Sequence, residues 1–503
     1  MIRLLFLTHR YLGIALGLLM VLWCVTGIVM MYVPYPAAID RDVRLAALAP
    51  LDGVACCILE GESFPPDNAA IRSFEIEALN DRAVLSASNA SGQVYMLDIT
   101  AGTEFEGPAP SAALDIARDF TRGRGIAAEP TLLGEIESDQ WTTGRFRNDR
   151  PLYHFALNDE SGAEIYVSST SGKVLNTTDS YIRFWNWLGS VPHWLYFTQL
   201  REDVALWTDV VVWTSLIGCV LTVIGIYIGI RQLRRRRSTG KLASPYRGIW
   251  YWHHVPGLIF GIFTLTWVFS GMLSMTPWGL FTNSDPTPAL ERLYGEPPTW
   301  SDLKEAIPAI IAGAPAGSVH VQSAPFEGNI FAIASGADGI PTRLSAGGIN
   351  ANMNPTDYAR AAVLIGEVYD GATWEILHEE DAYYYGRPHE PMPLPVLRIA
   401  TQGADAANFY ASPETGFLLR FADAEARWYR WLFSGLHSLD FSQVFRWRPF
   451  WDVLMIVLLL GATGVCATGT WLGIEHLLGR SRRQGFLADI KRRTPERRSA
   501  PLA

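Results

Sequence analysis

The sequence is poor in charge and in cysteine. Only 18% of its 503 residues are charged, whereas soluble proteins average about 25%. Low charge with 49% hydrophobic residues excludes a disordered chain, and five cysteines are too few for a disulfide scaffold. The net charge of −9 argues against a nucleic-acid-binding protein. A large globular protein, a membrane protein or a combination of the two remains.

Charge is absent from four long apolar runs. Residues 11–33, 210–230, 255–280 and 453–474 hold no Asp, Glu, Lys or Arg. Each run is long enough to span a bilayer as a helix, which takes about 20 residues. The first run is too long for the hydrophobic region of a signal peptide, and no small-residue cleavage site follows it. The sequence therefore predicts four transmembrane helices.

Basic residues are concentrated on one side of these helices. The N-terminus, the loop 231–248 and the tail 475–503 together carry 17 basic and 3 acidic residues, or +14. The remainder carries 24 basic and 47 acidic residues, or −23. The positive-inside rule places both termini and the loop in the cytoplasm. The predicted order is an N-terminus with helix 1 (1–34), an external domain (35–200), helix 2 (201–231), a basic loop (232–250), helix 3 (251–279), a second external domain (280–447), helix 4 (448–476) and a basic tail (477–503).

One offset of 244 residues relates the two halves of the chain. It aligns rare residue types along the whole length: His9/His253, Gly13/Gly257, Gly17/Gly261, Trp23/Trp267, Gly27/Gly271, Tyr166/Tyr410, His193/His437, Trp207/Trp451, Gly225/Gly469 and Gly229/Gly473. The pattern predicts a tandem repeat of helix, external domain and helix. Both copies start and end inside, so they are related by an axis along the membrane normal, and the four helices form one bundle.

The external segments have the pattern of α+β domains. Residues 112–122 and 301–312 are predicted to form short helices, the second capped by Ser301. Strand-like stretches at 165–169 and 408–412 are each followed by a turn with glycine, at Gly172 and Gly416, and by another apolar stretch. We therefore expect one hairpin in each half.

Histidine is the residue type with chemistry at the ends of the helices. His9 and His253 form one pair under the repeat, and His193 and His437 form a second pair on the other side. Two neutral imidazoles that face each other across a dry gap are the axial ligands of a six-coordinate haem. One pair near each surface predicts two haems. Interfacial polar histidines, and glycines that serve only helix packing, are the alternatives.

The histidine pattern leaves part of the ligand set open. His254 and His476 are reserve ligands on the cytoplasmic side. The chain has no CxxCH motif, so any haem is b-type, and a zinc site would need four close ligands. The 37 residues from His437 to Ile474 are too long for one membrane span, so a break is expected near Arg446, Arg448 and Pro449. Segments 185–200 and 428–445 are then expected along the outer surface, tipping their histidines inward.

The adjacent Cys56 and Cys57 lie in the first external domain. A strained disulfide between them, pairing with another chain and two free thiols all remain open.

Several of these motifs resemble the PepSY-associated transmembrane helix family of bacterial inner-membrane proteins. His9-Arg10-Tyr11-Leu12-Gly13 is similar to the family's opening motif, and the segment 253–257 is similar to its second occurrence, with His254 where Arg is usual. The hairpins IYVSSTSGKVL and NFYASPETGFLL resemble the PepSY strand-turn-strand. The resemblance covers nearly the whole chain.

The resemblance implies an enzyme that reduces ferric siderophores, like ferrioxamine reductase. Such a member carries two b-type haems in its bundle and passes electrons outward to siderophore-bound iron, which leaves as Fe(II). The sequence holds no G-x-G-x-x-G loop between a strand and a helix, so the electron donor is another protein, a diffusible reductant or a quinol. The alternative is a non-enzymatic, membrane-anchored PepSY module that binds or inhibits a periplasmic protease or partner. A siderophore transporter is disfavoured because the apolar runs hold no charge.

Overall fold

The computed structural model describes residues 2–235, 242–386, 391–442 and 447–479. Its helices are α1 (Ile2–Met30), α2 (Arg41–Leu45), α3 (Pro110–Gly123), α4 (Ser180–Leu188), α5 (Ser190–Trp194), α6 (Thr198–Arg201), α7 (Val204–Gln232), α8 (Ile249–Leu273), α9 (Thr287–Tyr294), α10 (Trp300–Gly313), α11 (Pro355–Gly366), α12 (Ala424–Tyr429), α13 (Leu436–Ser438) and α14 (Phe450–Leu477). The chain forms two compact units. The helical unit comprises Met1–Tyr35, Phe184–Leu280 and Tyr429–Ala503, and the sheet unit comprises Pro36–Arg183 and Phe281–Trp428.

Helices α1, α7, α8 and α14 are long and apolar enough to cross a membrane, which confirms the four predicted spans. The shortest, α8, has 25 residues and is about 38 Å long, which exceeds the roughly 30 Å apolar core of a bilayer. The Asp203 side chain caps α7 by accepting a hydrogen bond from the Leu206 amide at 2.9 Å. Pro449 precedes α14, so the predicted break before the fourth span is present there; Arg446 lies outside the described residues.

The four long helices form a ring of neighbours. Helix α1 packs against α7 and α14, and α8 packs against the same two helices. Helices α1 and α8, which begin the two halves of the chain, therefore lie on a diagonal of the bundle. Contact between α1 and α14 is close, because a Cβ added at Gly17 would lie 2.5 Å from the Thr470 hydroxyl.

Short helical segments lead into α7 and α14. Helices α5 and α13 both end at a leucine in the left-handed region, Leu195 (φ 53°) and Leu439 (φ 54°). The Trp207 indole donates to the Trp194 carbonyl at 2.8 Å, and the Trp451 indole donates to the Ser438 carbonyl at 2.6 Å. These bonds hold each short helix against the start of the long helix that follows. A π-helical turn, Arg430–Gly435, precedes α13.

The sheet unit contains a seven-stranded antiparallel sheet. Its strands are β1 (Ile71–Leu79), β2 (Arg82–Asn89), β3 (Val94–Asp98), β4 (Thr103–Glu104), β11 (Ser318–Ser323), β12 (Phe331–Gly336) and β13 (Pro341–Ser345), in the order β13-β12-β11-β1-β2-β3-β4. The central pair β1/β11 is in a register that places Ile76 opposite Val321. Helix α10 covers one face with Leu303, Ile307 and Ile310.

Two further antiparallel sheets of four strands complete this unit. One contains β5 (Thr131–Ile136), β6 (Leu152–Ala156), β7 (Glu164–Ser168) and β8 (Val174–Thr178), and the other contains β14 (Ala372–Leu377), β15 (Val396–Thr401), β16 (Asn408–Ala411) and β17 (Leu418–Ala422). Helix α3 packs on the first and α11 on the second. The predicted hairpins β7/β8 and β16/β17 are present, and their turns use Gly172 and Gly416, both at φ 72°. A two-stranded ribbon of β9 (Arg234–Arg235) and β10 (Leu242–Ala243) lies between α7 and α8.

The structure differs from the sequence-based expectation in two places. The predicted external segments 35–200 and 280–447 share the seven-stranded sheet, so Pro36–Arg183 and Phe281–Trp428 form one compact unit rather than two, while the ends of both segments, from Phe184 and from Tyr429, belong to the helical unit. The predicted helices at 112–122 and 301–312 are α3 and α10. The cap of α10 is Thr299, not Ser301, because its hydroxyl and Asp302 form a reciprocal capping box.

Candidate functional site

The structure brings four histidines together as two facing pairs in the helical unit. His9 on α1 and His253 on α8 have ring centroids 6.2 Å apart. His193 on α5 and His437 on α13 have ring centroids 6.3 Å apart. The first pair lies where α1 and α8 begin, which we call the His9 end. The second pair is held by hydrogen bonds near where these helices finish, which we call the His193 end.

At the His9 end, both rings are oriented by a backbone carbonyl of the neighbouring helix. His9 Nδ1 lies 3.1 Å from the Leu221 carbonyl oxygen, and His253 Nδ1 lies 3.1 Å from the Val465 carbonyl oxygen. A carbonyl can only accept, so Nδ1 of each ring carries the proton. The two acceptors are 244 residues apart in the chain, as the two histidines are.

Glycine makes these contacts possible. A Cβ added at Gly225 would lie 2.6 Å from His9 Cε1, and one at Gly469 would lie 2.8 Å from His253 Cε1. Any other residue would push the imidazole away from the helix that orients it. The glycines therefore serve the histidines directly, in addition to any role in helix packing.

At the His193 end, side-chain hydroxyls replace the backbone carbonyls. Thr26 Oγ1 lies 3.0 Å from His193 Nδ1, and Ser270 Oγ lies 3.0 Å from His437 Nδ1. Each hydroxyl donates to a carbonyl of its own helix, Thr26 to Leu22 at 2.7 Å and Ser270 to Trp267 at 3.1 Å. Their oxygens are thus left to accept from Nδ1–H.

Burial keeps the pair at the His193 end neutral. It lowers the pKa of His193 to about 3, with the neighbouring His437 adding to the effect, and lowers the pKa of His437 to about 4. Neutral imidazoles with Nδ1 protonated carry their lone pair on Nε2. That is the form in which histidine binds a metal ion.

The Nε2 atoms of all four rings are unengaged. Within the part of the chain that the structure describes, none of them has a hydrogen-bond partner. A metal ion bound from opposite sides by two imidazoles, each at about 2 Å, places the ring centroids about 6 Å apart. The observed 6.2 and 6.3 Å match this separation. A carbonyl or hydroxyl behind the ligating ring is the usual outer-shell partner of a metal-bound histidine.

A cavity of about 240 Å³ lies around the His9/His253 pair. Eight glycines from the four long helices line it: Gly13, Gly17, Gly225, Gly229, Gly257, Gly261, Gly469 and Gly473. At five of them an added Cβ would lie under 3.0 Å from a neighbouring side chain, whereas at Gly13, Gly257 and Gly261 it would meet no atom closer than 3.4 Å. Small residues thus border the space between the two imidazoles, and the residues present suit a planar haem.

The two reserve histidines have different surroundings. His254 is buried, its Nε2 lies 2.8 Å from the Gly229 carbonyl oxygen and its Nδ1 lies 2.8 Å from the Ser244 hydroxyl. Both nitrogens are therefore engaged, and it is His253 that faces His9. His476 lies at the cavity wall with Nε2 3.5 Å from Arg10 Nη1.

A second cluster of titratable groups lies in the sheet unit. Glu75 and Glu77 on β1 approach His320 on β11 closely enough to hold a metal ion. Arg44 and Lys173, however, already form ion pairs with these carboxylates. Burial raises the pKa of Glu75, but the hydrogen bond from His320 and the charge of Lys173 outweigh it and hold the pKa below its usual value. The cluster is an ion-pair network within the sheet.

Among the cysteines, Cys56 and Cys57 are joined to each other in a disulfide. Cys24, Cys219 and Cys466 are free thiols in the long helices. Cys24 and Cys219 are buried, as expected of a thiol that packs as a small apolar group.

Sequence reasoning missed the hydroxyl and carbonyl groups that contact Nδ1 of the four histidines. Thr26 and Ser270 are 244 residues apart and both carry a hydroxyl, so the repeat alignment contained that signal. The Leu221 and Val465 carbonyls left no signal, because a backbone acceptor does not depend on its side chain.

The comparison with known families covers most of the molecule. The sequence profile of the family described as the PepSY-associated TM region matches residues 6–475. No curated protein sequence matches the chain significantly.

Proposed function

The chain belongs to the PepSY-associated transmembrane family and is a multi-pass membrane protein, and from that premise we propose that it is a di-haem b reductase. It sits in the bacterial inner membrane with both termini in the cytoplasm. It reduces the iron of ferric siderophores in the periplasm. Each iron takes up one electron, and Fe(II) leaves because it binds the siderophore far more weakly than Fe(III).

One observation carries this proposal: two pairs of imidazoles face each other with Nε2 unengaged and Nδ1 held from behind. When bound, haem would supply a one-electron carrier at each pair. The protein holds the paired imidazoles at the required separation, and burial keeps the pair at the His193 end neutral. It needs no general acid or nucleophile for the reaction.

The separation of the two pairs supports a path across the membrane. Thr26, which holds His193, is 17 residues beyond His9 on α1, or about 25 Å along a helix. The pairs therefore lie at opposite ends of an apolar bundle. Met20 and Trp267 are buried side chains of α1 and α8 between the two pairs.

The orientation follows from charge and from the repeat. The segments with a net charge of +14 adjoin the helix ends that hold the His9/His253 pair. We therefore place this pair towards the cytoplasm. Equivalent histidine contacts 244 residues apart support a tandem repeat, and the external segments of this repeat would be PepSY-like domains. The −23 side would face the periplasm, where a negative surface favours a cationic or iron-bearing substrate. The electron donor is a quinol or a cytoplasmic reductant protein.

A visible spectrum tests the proposal first. We expect the detergent-purified protein to contain about two b haems per chain by pyridine haemochrome assay, with a low-spin reduced-minus-oxidised spectrum. Under anaerobic conditions, ferrioxamine should reoxidise the dithionite-reduced protein, and an Fe(II) chelator should capture the released iron. If a preparation with both haems is not reoxidised by ferrioxamine, the assignment of a ferric siderophore as the substrate is wrong. If the protein purified from haem-sufficient cells is colourless, the reductase proposal is wrong and the alternative, a non-enzymatic PepSY binding module, is favoured.

A further inference from the structure

At the His9 end, the repeat relates the histidines and the glycines of one half of the chain to those of the other. It does not relate the residues at the mouth of the cavity. Position 10 is arginine where its equivalent, position 254, is histidine. Position 232 is glutamine where position 476 is histidine. All four residues line the cavity. The mouth therefore has two chemically different sides.

The side formed by α7 and α8 is satisfied within the protein. His254 donates from Nε2 to the Gly229 carbonyl at 2.8 Å, and its Nδ1 lies 2.8 Å from the Ser244 hydroxyl oxygen. Tyr246 packs edge-on against its ring at 5.2 Å. Both nitrogens of this imidazole are engaged within the protein, so neither is left to bind a ligand.

The side formed by α1 and α14 lacks a partner for its charge. Arg10 Nη1 donates to His476 Nε2 at 3.5 Å. Among the residues described, no carboxylate lies within ion-pairing distance of Arg10. A guanidinium has five N–H donors and binds a carboxylate through two of them at once. Arg10 thus borders an apolar cavity with most of its donors unused.

Resting on the proposed function, we propose that Arg10, supported by His476, binds the propionate carboxylates of the haem held by His9 and His253. Haem b carries both carboxylates on one edge. The deep part of the cavity is lined by Met20, Thr264 and Cys466, where an ion would be costly to bury. The carboxylates therefore point to the mouth, and the broken symmetry selects the α1/α14 side. Arg10 thereby fixes one of the two orientations that the histidine pair alone would allow.

The test compares Arg10→Gln, Arg10→Lys and Arg231→Gln in maltoside detergent, which contains no phosphate. Arg231 lies in the last turn of α7, next to Gln232 at the same mouth, but does not line the cavity, so it is the matched charge control. We expect the Arg10→Gln protein to transfer one of its two haems to apomyoglobin about tenfold faster than the wild type. This factor is the usual effect of losing one hydrogen bond to a charged group. The midpoint potential of that haem should fall, because a nearby positive charge favours the reduced iron. Arg10→Lys keeps the charge but not the two-donor contact, so it should recover most of the midpoint potential and part of the haem retention, and Arg231→Gln should match the wild type.

Haem dimethyl ester separates carboxylate binding from a structural role. Protein loaded with the ester should lose it at the same rate in the wild type and in Arg10→Gln. Equal haem loss and equal potentials in the two proteins would overturn the proposal, and so would faster loss of the ester in the variant. A lipid phosphate as the true partner of Arg10 would give the first of these results. Absence of haem from the wild type would instead overturn the proposed function itself.

Discussion

Replacement of Gly225 by alanine tests whether this glycine exists to seat His9. The added Cβ would lie 2.6 Å from His9 Cε1 and 3.1 Å from Nδ1. Carbon atoms pack at about 3.5–4.0 Å, so the ring must retreat by about 1 Å. That retreat lengthens the 3.1 Å contact between Nδ1 and the Leu221 carbonyl oxygen beyond hydrogen-bonding distance. The ligand then loses both its position and its outer-shell partner.

The expected loss in haem affinity at this pair is about 10- to 100-fold, the usual effect of removing an outer-shell partner. Haemochrome assays should show a fall from about two haems towards one, and the haem at the His193 end should keep its low-spin spectrum. Haem titration of the detergent-solubilised protein gives the affinity directly. The retained haem also reports that the variant is folded.

Gly464→Ala is the matched control on α14. A Cβ at Gly464 meets nothing within 4 Å, and alanine favours a helix over glycine by about 1 kcal/mol. It should therefore keep both haems and melt no lower than the wild type. Gly27→Ala should be mild, because its Cβ would lie at an ordinary 3.6 Å from His193 Cε1. Two tightly bound haems in Gly225→Ala would refute the reasoning.

Three further variants examine the remaining ligand contacts. His193→Ala should remove one haem and leave the other, and an unchanged two-haem spectrum would show that His193 is not a haem ligand. Thr26→Val removes the acceptor for His193 Nδ1 at nearly constant volume, so haem loss at this end should accelerate about tenfold; loss as slow as in the wild type would contradict the outer-shell role. His254→Ala should keep both haems while thermal unfolding shows a stability loss of about 1–3 kcal/mol from two lost buried hydrogen bonds; loss of a haem would make His254 a ligand.

The most accurate predictions from the sequence concerned features that occur in both halves of the chain. Four uncharged runs located the long helices, and the 244-residue offset paired His9 with His253 and His193 with His437. Those pairs face each other in the structure, whereas the haems themselves remain a prediction. The choice between His253 and His254 was not accessible, because it depends on the Gly229 carbonyl and the loop residue Ser244.

The seven-stranded sheet was beyond sequence reasoning for a different reason. Strands β1 and β11 are far apart in the chain, and alternation along a strand does not name its partner. The sequence could therefore predict an α+β character but not the pairing that merges the two segments. The cap of α10 shows the same limit on a smaller scale, since Thr299 and Ser301 are both capable caps and only geometry distinguishes them.

The β1/β11 pairing has a consequence for the order in which the nascent chain can fold. Translation must proceed from Leu79 to Ser318 before the partner of β1 exists, which takes roughly 10–50 s at about 5–20 residues per second. During that interval β1 is an edge strand beside β2. Glu75 and Glu77 on this strand are charged side chains of the kind that discourage edge-to-edge association, and Arg44 and Lys173 are synthesised in time to pair with them. We therefore expect Glu75 and Glu77 to protect the unpaired edge of β1 from association with other chains until the second half of the chain is synthesised.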